Sequence, residues 1–60
     1  MFKIQYTADT VGTRWMTAEY PYPEDADTAA RRALETIKDI RSVCVVEQDG
    51  TVYPQHDRMD

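Results

Sequence analysis

The chain holds one histidine and one cysteine, His56 and Cys44, so any nucleophilic or metal chemistry has to start from them. His56 sits between Gln55 and Asp57 with no second ligand at metal-binding spacing. Cys44 lies inside the apolar run Val43-Cys44-Val45-Val46, where a free thiol behaves as a small core hydrophobe. There is no serine–histidine–acid set and no glycine-rich phosphate loop. Glu24, Asp25 and Asp27 are closely spaced carboxylates. A calcium loop, however, needs acids at alternating positions, a central glycine and a glutamate at its twelfth position. Here the acids enter an alanine-rich segment, where they complement the positive end of a helix dipole. No catalytic residue, cofactor or metal is expected. What these acids do offer is a contact for a basic partner.

Trp15 carries the second functional signal. It is the one tryptophan, it stands beside Arg14, and large aromatics with arginine make up interface hot spots. The competing reading has the strand in the opposite register, with Trp15 anchoring the core. Tyr20, Tyr22 and Tyr53 would extend such a surface. Phe2, Tyr6 and Trp15 would also suit base stacking, but no cluster of basic residues surrounds them. Direct nucleic-acid binding is therefore not expected.

The elements that must position these residues follow from periodicity. Phe2, Ile4 and Tyr6 alternate with Lys3, Gln5 and Thr7, the period-two pattern of a half-buried strand. Ala8 to Gly12 reads as a turn, and 13–20 as a second strand. On that strand Met16, Ala18 and Tyr20 fall on one face, with Trp15, Thr17 and Glu19 on the other. Tyr20-Pro21-Tyr22-Pro23 cannot continue a sheet ladder and reads as a stiff connector. Asp25 to Ile37 is one amphipathic helix with Asp25 as its N-cap. Ala26, Ala30, Ala33, Leu34 and Ile37 recur at spacings of three and four, forming its apolar stripe. Asp27 and Arg31 form an i,i+4 pair worth ~0.2–0.5 kcal/mol. The apolar run from Val43 predicts a central strand. Asp49-Gly50 predicts a two-residue hairpin turn that pairs Val46 with Tyr53, on the face of Cys44.

The fold class expected is α+β: one helix on one face of a three- to four-stranded antiparallel sheet, element order β-β-α-β-β. Residues 1–54 form this single domain, and 55–60 a polar, flexible C-terminal tail. With strands in spatial order 2-1-3-4, the second sheet face stays open as a docking surface.

Composition narrows the partners. Eleven acidic against seven basic residues give a net charge of −4, which disfavours phosphate backbones and suits a basic protein surface. One cysteine excludes an internal disulfide and fits a reducing cytoplasm. The N-terminus runs straight into strand alternation without a basic and then apolar leader, so no signal peptide is expected. The longest apolar stretch is too short to span a bilayer, so no membrane role is expected.

The hairpin from Phe2 to Tyr20, the acidic-capped helix from Asp25 to Ile40, and the strand and turn from Val43 to Gly50 resemble small phage-encoded inhibitors of host machinery. These include anti-CRISPR proteins and inhibitors of bacterial RNA polymerase. The resemblance is one of size, element order and acidity, and no diagnostic motif is shared. It implies a non-enzymatic protein that occupies a functional surface of a larger bacterial protein or protein–nucleic-acid complex in the host cytoplasm. Arg14, Trp15, Tyr22, Glu24, Asp25 and Asp27 are the candidate contacts. The alternative is a self-associating module, a homodimer paired through an exposed strand edge.

Small residues in the helix stripe predict close helix–sheet approach. Ala30→Leu should overpack that contact and lower stability by ~1–3 kcal/mol, measured by urea denaturation; an unchanged midpoint would show that Ala30 does not face the sheet.

Overall fold

The computed structural model describes residues 1–58. Strand β1 (Phe2–Ala8) pairs antiparallel with β2 (Gly12–Tyr20) on one side and β3 (Ile40–Glu47) on the other. A two-residue β4 (His56–Asp57) adds to the outside of β3, giving the order β2-β1-β3-β4. Helix α1 (Pro23–Thr36) covers one face, as the alternation of apolar residues predicts.

The core lies between α1 and the two middle strands. Ile4, Val43 and Val45 from the sheet meet Ala26 and Ala30 from the helix, all 2 % exposed or less. Alanine faces let the helix backbone lie close to the sheet. The helix sits mainly over β3 and β1 and only touches β2. As a result β2 contributes only the half-buried Met16 and Tyr20 to the core, and Ala18, expected beside them, is exposed.

The helix begins two residues earlier than the acids suggest. Tyr22 is the N-cap, in extended conformation and without a side-chain cap bond, and Pro23 opens the first turn. Proline suits that position because its fixed φ is helical and its missing amide has no partner there anyway. Asp25 is therefore a first-turn residue rather than the cap. At the other end Ile37 is the C-cap, 48 % exposed, not the last member of the buried stripe.

The second hairpin also departs from expectation. The loop after β3 has three residues, not two. Gly50 N–H donates to the Glu47 carbonyl at 2.9 Å, and Glu47 N–H to the Thr51 carbonyl at 2.8 Å. Gly50 then takes φ +98°, the left-handed position that follows a type I turn in three-residue hairpins. The extra residue pairs Val46 with Val52 and moves Tyr53 to the helix side of the sheet. One step of register exchanges faces. There the Tyr53 ring meets Phe2 edge-on at 5.9 Å. Residues 51–53 form only an isolated bridge, so the fourth strand lies further along, at His56–Asp57.

The segment expected as a flexible tail is thus partly built into the fold. His56 pairs with Val43 and Asp57 with Ser42, and His56 Nε2 lies 2.6 Å from Asp27 Oδ1 on the helix. Arg58 donates from its side chain to the carbonyls of Ile40 (2.8 Å), Ile37 (2.7 Å) and Leu34. The last turn of α1 contains no basic residue. Arg58 supplies from a distance the cation and donors that the helix C-terminus lacks. The expectation for Met59 and Asp60 lies outside the described residues.

A hydrogen bond to a charged group contributes roughly 1.5–3 kcal/mol. Arg58→Ala should therefore lower the unfolding free energy, measured by urea denaturation, by an amount in that range, with Arg58→Lys recovering only part. A loss below about 0.5 kcal/mol would mean that water serves these carbonyls equally well.

Candidate protein-interaction surface

An irregularity in the edge strand places Trp15. Lys3 pairs with Glu19 and Gln5 with Trp15, so two steps along β1 match four along β2. The extra residues bulge out of the free edge and leave Trp15, Glu19, Lys3 and Gln5 together on the face away from the helix. Trp15 is 51 % exposed. Of the two registers open to this strand, the structure adopts the one with Trp15 outward.

Because β2 is bulged and barely covered by α1, Trp15 walls two grooves. On the open face a groove of about 440 Å³ runs from Trp15 past Lys3, Glu19 and Val46 to the loop at Gly50. On the helix side a groove of about 630 Å³ is lined by Trp15, Met16, Val11, Tyr6 and Ile37. It occupies the space beyond the helix end, where the short α1 leaves β2 bare. The exposed Val11 and Ile37 belong to this second groove.

The other candidate residues separate into different places. Arg14 pairs with Tyr6, on the helix side, and its Nε donates to the Val11 carbonyl at 3.2 Å. It does not share a face with Trp15. Tyr22 (61 % exposed), Glu24 and Asp25 project at the helix start. Asp27 is engaged by Arg31 at 3.1 Å as well as by His56. Val46 and Glu47 escaped the sequence reading. The alternation of Val46 with the inward Val45 was the signal that would have found Val46, whereas Glu47 pairs with Phe2 and reaches the groove only at the end of β3.

The electrostatics of the remaining groups are structural. Arg41 binds Asp9 through Nε (2.8 Å) and a terminal nitrogen (2.7 Å), and this hydrogen bonding holds the Asp9 carboxyl below its ordinary range. The Asp49 carboxyl is likewise lowered, chiefly by the Thr51 amide that donates to it at 2.9 Å. Burial pushes the Cys44 thiol up. Cys44 is 7 % exposed and 3.8 Å from Gln5 Oε1, on the opposite sheet face from His56. The two therefore do not form a nucleophile–base pair. Among the described residues, no three His, Cys, Asp or Glu side chains gather as metal ligands, and no helix is long and apolar enough to cross a membrane.

No protein-family model matches the chain, and neither a curated protein nor a solved structure matches it.

A thiol held neutral by burial is a poor nucleophile. Iodoacetamide should modify Cys44 slowly in the native protein and rapidly in denaturant. Rapid native labelling would show an accessible thiolate. Because its folded pKa is raised above the ordinary thiol value of 9.0, the stability associated with the neutral thiol is present below that pH and declines above it. The lowered Asp9 carboxyl acts in the opposite window. Its contribution is present at neutral pH and lost as pH falls below its ordinary 3.8.

Proposed function

We propose that the chain is a non-enzymatic protein-binding module that acts by covering a functional surface of a larger protein. The observation that carries this reading is Trp15, half-exposed on an edge bulge between two apolar grooves. An exposed indole in a concave apolar setting, rimmed by Lys3 and Glu19, has the makeup of an interface hot spot with its polar border. The separation of His56 from Cys44 supports binding rather than turnover.

The same geometry favours the face of β2 over its edge. A strand edge adds a partner strand only where its outward amides and carbonyls keep a regular ladder. The bulge between Trp15 and Glu19 interrupts that ladder, a device that edge strands use against unwanted pairing. Self-association through β2 is accordingly the second reading. The acidity of the chain fits a basic target such as a surface that holds nucleic acid. A phage-encoded inhibitor of bacterial nucleic-acid-processing machinery, working in the host cytoplasm, is the kind of protein this describes.

Trp15→Ala tests the proposal. The variant should keep its circular dichroism spectrum and melt within a few degrees of the parent, since exposed side chains contribute little to stability. It should lose the protein that the tagged parent captures from bacterial lysate, while Arg32→Ala, on the exposed helix face, retains it. A strongly destabilised Trp15→Ala would place the indole in the core. Unchanged capture would remove Trp15 from the interface. A concentration-dependent dimer in sedimentation would favour self-association.

A further inference from the structure

The fold sorts charge along its length, and the sort points to the chemistry of the partner. The end where β1 starts and β2 and β3 finish also carries the helix N-terminus. It gathers six carboxylates, Glu19, Glu24, Asp25, Asp27, Glu47 and Asp49, against the side chains of Lys3 and Arg31. Of these acids, Asp27 is occupied by Arg31 and His56, and Glu47 lies 3.6 Å from the N-terminal amine. Among the described residues, the opposite end holds Asp9, Asp39 and Asp57 against Arg14, Lys38, Arg41 and Arg58, a slight positive excess. The negative charge of the described residues is thus concentrated at one end. The open-face groove runs from Trp15 into that end, with Glu19 and Glu47 on its walls.

We infer that this groove and the acidic end form one docking surface for a cationic protein segment, with a partner arginine stacked on the Trp15 indole and paired with Glu19. The inference rests on the proposed protein-binding function and specifies its partner. A guanidinium is planar and weakly hydrated, so it stacks on an indole face while its edge donates to a carboxylate. Among the described residues, no charged side chain stacks on Trp15. Val46 and the stem of Lys3 supply the apolar floor for the arginine methylenes. The surrounding carboxylates add long-range attraction that salt weakens.

The single tryptophan makes this testable by fluorescence. Capped hexa-arginine peptide at low salt should change Trp15 emission saturably, and hexa-lysine, which cannot stack, should bind more weakly. Raising salt from roughly 10 mM to about 150 mM should weaken binding. Glu19→Gln should weaken it about two- to fivefold, the scale of one exposed ion pair. Glu35→Gln, which changes the net charge equally from the last turn of the helix, away from the acidic end, should have no effect. Equal losses from both variants would reduce the effect to overall charge, and equal binding of the two peptides would remove the stacked arginine. Either result overturns the inference, as does the absence of any saturable change. If Trp15→Ala loses its captured protein while hexa-arginine leaves the emission unaltered, protein binding stands and the cationic partner falls.

Discussion

The close contact of Ala26 and Ala30 with the middle of the sheet is the constraint from which the other features follow. Alanine allows a short separation between helix and strands, and a short separation needs small partners and a narrow footprint. Ile4, Val43 and Val45 fill that footprint, and 14 residues of helix span little more than β1 and β3. Strand β2 is therefore left outside the cover. Its bareness on both faces makes room for two grooves and puts Trp15 between them. In a chain this small, the same economy that closes the core leaves the surface open.

The carboxy-terminal segment compensates for what the small core lacks. A sheet that ended at β3 would present a highly apolar strand with an unpaired edge, a hazard for aggregation. Residues 51–58 cover that edge in two pieces, interrupted at Pro54, which has no amide to donate. The bridge at Val52 and the pair at His56–Asp57 differ in register by one residue, and the interruption absorbs the difference. Arg58 then closes the helix end and His56 holds the helix start side through Asp27. Both ends of α1 are tied to the same short stretch of chain.

These arrangements bear on the protein recognition proposed above. A regular β2 would offer its edge to any extended chain, including another copy. The bulge disrupts that edge and turns the exposed apolar area toward the faces, where shape and charge can select a partner. In the proposed binding role, concentration of the carboxylates at one end would add direction to that selection, because an electrostatically asymmetric protein is oriented before contact.

The element order and the central helix were legible in the sequence because they rest on local periodicity, and the strand order is the simplest antiparallel arrangement of those elements. Phe2, Ile4 and Tyr6 alternate, and Ala26, Ala30 and Ala33 recur at helical spacing, whatever lies around them. The Asp27–Arg31 pair was legible for the same reason. The N-cap was misread because proline at N1 competes with acids as a start signal, and here Pro23 prevailed over Asp25. The position of Tyr53 hinged on one loop residue, and Asp-Gly suits both two- and three-residue hairpins. The bulge at Trp15, the reach of Arg58 to the helix carbonyls, and the gathering of acids from three separate elements have no local signature. Each depends on which distant segments the packed helix brings together, so the tertiary structure alone decided them.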